Sequence, residues 1–294
     1  MKRKYRDIKL RPASLALVKQ CNVIVAKYQA MNLRLTLRQL YYQLVSANVI
    51  TNVERSYKNL SSLVSDARLA GLIDWDAIED RVRVPKRNSE WDTVADLVES
   101  ACLSYRLPRW AGQDNYVELW VEKDALAGVL QPIASEYHVT LMVNRGYSSQ
   151  TAMRDSALRF ITECDPGLMQ KKKAGHLLYL GDHDPSGEDM VRDIRDRLEM
   201  FHANVRVQKL ALTMAQIRKY KPPPNPAKVT DPRADKYIEE HGDKSWEVDA
   251  LPPDVLTEII SSELEELCDM DLMQEVKDQE EEHREALRKA AEDL

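Results

Sequence analysis

The sequence predicts an α/β protein with a basic helical front and a mainly parallel, helix-covered sheet behind it, and three observations carry this. Four apolar runs in the rear part, YVELWVEKD, HVTLMVN, HLLYLGD and NVRVQKLAL, alternate with helical stretches such as ALAGVLQPIASEY and GEDMVRDIRDRLEMF. Alternation of that kind builds a parallel sheet with helices on its faces. Ahead of them, three successive stretches carry apolar residues at helical spacing. Charge also divides the chain: residues 1–110 hold 19 Lys/Arg against 11 Asp/Glu and the rest 23 against 37, so the net −6 splits into +8 and −14.

The front reads as helix, helix, helix and wing. Leu17, Cys21, Ile24, Val25 and Tyr28 form one face of a helix over residues 13–30. Thr36 followed by Gln39 is a capping box that opens a second helix with the stripe Leu37, Leu40, Tyr41, Leu44 and Val45. A third begins at Ser56, with Tyr57, Leu60, Val64 and Ala67 inward and Lys58, Ser61, Ser65 and Arg68 outward, and Gly71 stops it. LIDWDAIEDRVRVP, rich in Asp turns and closed by Pro85, suits a small β-wing carrying Arg81, Arg83, Lys86 and Arg87. The sum resembles a winged helix. We therefore divide the chain into a basic DNA-binding domain (1–105), a sheet domain (106–268) with a loop or arm of five prolines at 221–233, and an acidic helical tail (269–294) read as a solvated helix.

Composition excludes several classes. The chain is 44% apolar and 31% charged, and no apolar run reaches the ~18 residues of a membrane span. No apolar signal core follows the basic MKRKYRDIKLRP. Cys21, Cys102, Cys164 and Cys268 are scattered, which suggests neither a zinc cluster nor a disulfide framework and fits a reducing cytoplasm.

Three acids stand where apolar strands run out: Glu122 after YVELWV, then Asp182 and Asp184 in LLYLGDHDPSG. Ends of parallel strands are where such sheets bind ligands. Two residues apart in extended backbone, Asp182 and Asp184 share a side, and with Glu122 they would form a hard-oxygen set suited to Mg²⁺. Two other readings stay open. Asp184 and Pro185 also spell a helix start, and DxD also occurs as an aspartyl nucleophile.

In LRQLYYQLVS, Tyr41 falls on the apolar stripe, whereas Tyr42 shares a face with Arg38 and Ser46. A guanidinium beside a phenol holds a phosphate there and favours the phenolate, so Tyr42 is the candidate nucleophile. The competing reading makes one tyrosine core and the other ordinary surface.

Glu after a first strand and DxDPxG after a later one resemble the Toprim domain of topoisomerases, primases and some nucleases. TLRQLYY in a winged helix ahead of it resembles the A subunit of topoisomerase VI and the related transesterase that makes meiotic double-strand breaks. The resemblance implies that Tyr42 forms a 5′-phosphotyrosyl link with DNA and Arg38 contacts the phosphate. It implies that Glu122, Asp182 and Asp184 hold Mg²⁺, for which Mn²⁺ substitutes, with Glu122 also serving as general acid or base. WEVDAL at 246–251 resembles a late acidic segment of the family, which implies Glu247 near the metal. Where the family has a Gly-x-Pro-Asp turn, this chain has RGYSS at 145–149. The family's geometry further implies a homodimer in which the tyrosine of one protomer meets the metal site of another. It also implies a separate ATPase subunit of B type, since no Walker-type loop is present.

These readings converge on a cytoplasmic, nucleoid-associated enzyme that acts on double-stranded DNA. Lys58, Arg68, Arg81 and Arg83 are its expected DNA contacts, giving backbone-led and salt-sensitive binding. The alternatives are a Toprim nuclease that uses water, and a winged-helix protein that binds DNA without cutting it.

Overall fold

A computed structural model describes residues 1–31, 33–78, 88–165, 167, 172–227 and 230–291. Helix α1 (Pro12–Gln29) packs with α2 (Leu37–Ser46) and α3 (Glu54–Leu69) around Cys21, Leu40, Leu44, Leu60 and Val64. The capping box at Thr36 is formed on both sides: its hydroxyl accepts from the Gln39 amide at 3.2 Å, and Gln39 Oε1 accepts from the Thr36 amide at 2.8 Å. Gly71 stops α3 with a φ of +74°, and an added Cβ would meet the Lys4 amide nitrogen at 2.9 Å. The third helix starts two residues before the expected Ser56.

The expected wing falls largely on residues 79–87, outside the described residues, so Arg81, Arg83, Lys86 and Arg87 receive no structural account. Its described beginning is a short 3₁₀ turn at Trp75–Ala77, followed by a parallel bridge between Leu35 and Ile78.

After α4 (Val94–Ser104), the four apolar runs become β1 (Asn115–Val121), β2 (Thr140–Val143), β3 (Ala174–Leu180) and β4 (Val205–Ala211). They form a parallel sheet in the order β2-β1-β3-β4. Strand alternation sends Val117, Leu119 and Val121 to one face, where α5 (Ala127–Glu136) and α10 (Pro253–Leu267) cover them. Trp120, Leu177 and Tyr179 pack on the other face against α6 (Gln150–Cys164) and α7 (Pro185–Met200). Glu118 lies in mid-strand, fully buried, and takes hydrogen bonds from Arg159, Trp120 and Tyr116. It is a structural acid.

Beyond α8 (Met214–Tyr220), the proline-rich stretch contributes β5 (Asn225–Pro226), which pairs across α9 (Ala234–His241) with β6 (Lys244–Ser245). The acidic tail forms α11 (Met270–Ala291). One face of this helix is not solvated: it packs on α4, and its Glu280 is buried in a two-pronged ion pair with Arg109, at 2.8 and 2.7 Å. A charge-rich sequence hides such a face, because the buried group is itself charged.

Candidate functional site

Glu122 follows directly on β1, and Asp182 and Asp184 follow on β3, so the parallel register brings all three to the same end of the sheet. The loop that carries the aspartates is anchored by the chain at 244–250. His183 and Trp246 exchange backbone hydrogen bonds at 2.8 and 2.9 Å, and the Val248 amide donates to Asp182 Oδ1 at 2.9 Å. That docking adds Glu247 and the fully buried Asp249 to the three acids.

Asp184 caps α7. Its Oδ1 accepts from the Gly187 amide at 2.7 Å and from the Ser186 hydroxyl at 3.0 Å, with Pro185 in the first turn. The helix-start reading of DHDPSG therefore holds for Asp184, while Asp182 faces the acids. Gly187 is required sterically, since an added Cβ would sit 2.2 Å from the Asp182 carbonyl oxygen. Glu122 Oε2 accepts from the Asp182 amide at 3.1 Å, which ties the two strand ends together.

Two cations enter this group. Lys123 Nζ lies 2.9 Å from Asp182, 2.9 Å from Glu247 and 3.2 Å from Asp249. Arg38, from α2, bonds Glu247 through both Nε and a terminal nitrogen, and its Nε stands 3.0 Å from Asp249. Burial works to depress the Lys123 ammonium, but Asp249, Asp182 and Glu247 outweigh it and hold the charge above its ordinary range. Burial works to raise Glu247, yet Lys123 and Arg38 prevail and hold it at about 2. For Asp249 burial wins over the same two cations and pushes it up to about 6.

Tyr42 is 3% exposed and Tyr41 5%, so both rings are packed. Tyr41 donates its hydroxyl to Asn52 Oδ1 at 2.9 Å and is held by the front module. The Tyr42 hydroxyl lies 3.4 Å from an Arg38 terminal nitrogen, which donates to it. Burial first, then the charge of Glu247, raises the Tyr42 phenol above its usual range, with Arg38 acting against them. Tyr42, Arg38, Asp182, Asp184, Glu247 and Asn225 line a single cavity of about 460 Å³ between the front helices and the sheet. The phenol thus meets acids of its own chain, where the resemblance implied those of a partner protomer.

The donor set has the chemistry for a hard divalent cation. Glu122, Asp182, Asp184, Glu247 and Asp249 against Lys123 and Arg38 leave 5 − 2 = 3 formal negative charges. Glu122 is pushed up first by burial and then by the charge of Asp182, a repulsion that a bound cation relieves. As the side chains stand, the Lys123 ammonium sits between Asp182, Glu247 and Asp249. Among the described residues no group of three or more His, Cys, Asp or Glu converges on one point in the manner of a metal site.

The expected DNA contacts diverge. Lys58 projects from α3 with its side chain 73% exposed and pairs with Glu54, one helical turn before it, at 2.7 Å. Arg68 instead turns inward, donating to the Trp75 and Ile78 carbonyls at 2.7 and 3.3 Å and lying 4.5 Å over the Trp75 ring. Sequence reasoning missed Lys123 and Asp249. The signals were present as a cation beside the strand-end acid in VEKD and as acids two apart in WEVD, but only the docking of 244–250 on the aspartate loop connects them. Among the described residues, no helix is long and apolar enough to cross a membrane. Compared with protein-family models and with curated proteins, the chain matches none.

Proposed function

We propose that the chain cleaves DNA through Tyr42, in the manner of the A subunit of topoisomerase VI, with the front helices acting as a winged helix and the sheet as a Toprim domain. The observation that carries this reading is the shared cavity, where a phenol, a guanidinium and strand-end carboxylates face one space of about 460 Å³. That space suits one phosphodiester and its flanking groups rather than a duplex, so double-stranded DNA requires the front helices to part from the sheet.

In the reaction the Tyr42 oxygen bonds to phosphorus as the bond from phosphorus to the 3′ oxygen breaks. The phenol gives up its proton to a carboxylate, and the leaving oxygen takes one up. This leaves a 5′-phosphotyrosyl link and a free 3′ hydroxyl. Arg38 exchanges its carboxylate partners for the phosphate and so stabilises the added charge. Glu122, Asp182 and Asp184 would hold Mg²⁺ or Mn²⁺, which supplies neutralisation of the phosphate charge when bound. ATP-driven strand passage would need a separate ATPase subunit, and a second protomer would be needed to cut both strands.

A second reading is favoured by one observation. Tyr42 is buried and its phenol is held above the usual range, which disfavours the nucleophilic phenolate. In that reading the acids activate water and the chain is a hydrolytic nuclease.

One experiment separates them. Supercoiled DNA is incubated with protein and Mg²⁺ or Mn²⁺, quenched with detergent and examined for protein that travels with the 5′ ends. Transesterification requires an adduct that Tyr42→Phe abolishes. If Tyr42→Phe still cuts while Asp182→Ala does not, water is the nucleophile. Protein that binds the duplex but neither nicks nor links to it under either metal would remove both readings and leave a DNA-binding protein.

A further inference from the structure

The cavity between the front helices and the sheet has two ends of different chemistry, and the proposed cleavage uses only one of them. Arg38, Glu247, Asp182 and Asp184 make the charged end. The other end is aromatic and amide-lined, with Asn52 and Tyr57 on the front wall and Asn225, Pro226 and Trp246 on the rear wall. A file of rings joins the two ends. The Arg38 guanidinium lies 5.6 Å from the centre of the Tyr42 ring, Tyr41 follows edge-on at 5.2 Å, and Tyr57 follows edge-on at 5.3 Å. Four of the fourteen lining residues are aromatic, against 6% of the chain, so flat apolar surface is concentrated here.

The aromatic end is open to a ligand. Tyr57 is half-buried, while Pro226 and Val53 at the rim are exposed, Val53 by 51%. At the charged end the Arg38 side chain is 41% exposed. Of the two amides, Asn52 is committed: its Nδ2 donates to the Pro224 carbonyl at 3.0 Å and to Asn225 Oδ1 at 2.9 Å, and its Oδ1 accepts from Tyr41 at 2.9 Å. Among the described residues Asn225 Nδ2 has one contact, with Glu247 Oε1 at the long distance of 3.4 Å, and keeps a donor to spare. The pairing of β5 with β6 sets Asn225 opposite Ser245 and so beside Trp246.

A ligand that fills this space carries an anion at one end and, at the other, a flat ring with acceptors on its edge. One nucleotide has that constitution. Unpaired bases stack on aromatic side chains and are read on their edges by amides, whereas a paired base has its faces covered by the stack and its edge by its partner. The geometry points to an unpaired nucleotide of a DNA strand as the occupant, with its phosphate at Arg38 and its base among Tyr57, Trp246 and Asn225. This rests on the reading of the cavity as the place where a DNA phosphate reacts, and it narrows the substrate to a strand that is single, frayed or has a base extruded. A free mononucleotide is the other source of the same chemistry.

The test uses the full chain in Mg²⁺ buffer at fixed salt. Thymidine monophosphate is titrated by calorimetry, and a short labelled oligothymidylate and a blunt duplex of the same length by fluorescence anisotropy. Tyr57→Leu should weaken the single strand about 10-fold and the duplex by less. Tyr57→Phe keeps the ring and should bind as the parent does, while Asn225→Ala should weaken the single strand without removing a ring; melting curves check that each variant folds. A 2-aminopurine placed in the strand should lose fluorescence on binding to the parent, as a base does when it stacks, and keep it with Tyr57→Leu. The assignment is overturned if Tyr57→Leu and Asn225→Ala both leave single-strand binding unchanged, or if Tyr57→Leu weakens the duplex as much as the single strand. It is equally overturned if thymidine monophosphate binds with this Tyr57 dependence while the strand does not, which would make a free nucleotide the ligand. A Tyr42 adduct on duplex DNA that is indifferent to Tyr57→Leu would remove this inference and keep the cleavage reading, and Tyr57-dependent strand binding without any cleavage would do the reverse.

Discussion

At Tyr42 one oxygen atom separates the proposed chemical role from the packing role. The ring is buried among Leu40, Leu44 and Tyr41, with Tyr41 edge-on at 5.2 Å between centroids, so Tyr42→Phe keeps every apolar contact. What it removes is the 3.4 Å contact with Arg38. The variant should melt within about 1 kcal/mol of the parent while the covalent adduct with DNA disappears, which thermal denaturation and a detergent-quenched cleavage assay together decide. Between the two aspartates, His183 is buried against Tyr237, His241 and Trp246, and its Nδ1 lies 2.8 Å from the Tyr237 hydroxyl. Burial lowers its pKa from 6.5 to about 4, with the positive charge of Lys209 assisting and Glu188 opposing. The unfolded chain then takes up a proton near pH 6.5 that the folded chain refuses until about pH 4. Stability tied to neutral His183 is complete above pH 6.5 and is lost as pH falls toward 4. His183→Gln should flatten that part of a denaturant-midpoint profile against pH, and an unchanged slope would refute the assignment.

Among the elements, the junction of β3 and α7 and the pairing of α4 with α11 carry the most specific demands. The Gly187 amide caps on Asp184 while the Asp182 carbonyl passes 2.2 Å from where a Cβ would stand. Gly187→Ala must therefore push the helix start off the aspartate loop. We expect it to cost about 1–3 kcal/mol and to lower cleavage more than it lowers DNA binding, measured by denaturation and by gel shift. On α11, Glu280→Ala leaves Arg109 buried without its two-pronged partner. Removing one member of such a pair costs about 3–5 kcal/mol, and urea unfolding should show it; a loss under about 1 kcal/mol would mean that the pair contributes little. Helix periodicity and the cap at Thr36 made the front helices legible in advance. The face of α11 was only weakly legible, because its apolar stripe is slight and, beside Met273, the buried group is the charged Glu280.

For the whole molecule, the proposed function assigns binding to the basic front and chemistry to the acidic rear. With Lys/Arg exceeding Asp/Glu by 8 over residues 1–110, duplex binding should be led by phosphate contacts. Affinity should then fall linearly with salt on logarithmic axes, by roughly 10³ between 50 and 200 mM if six or more phosphates are neutralised; a flat response would exclude this mode. The sequence by itself determined the alternation that makes the parallel sheet, the capping box, the strand-end acids and the face shared by Arg38 and Tyr42, because each rests on neighbours a few residues apart. Only the tertiary structure decided that Lys123 and Asp249 join the site, that Arg68 turns inward, and that Tyr42 meets acids of its own chain. The contacts at the site join residues as much as 209 positions apart, as Arg38 and Glu247 are, and form when chain segments dock, which local pattern does not encode, whereas Arg68 is turned by carbonyls 7 and 10 residues on.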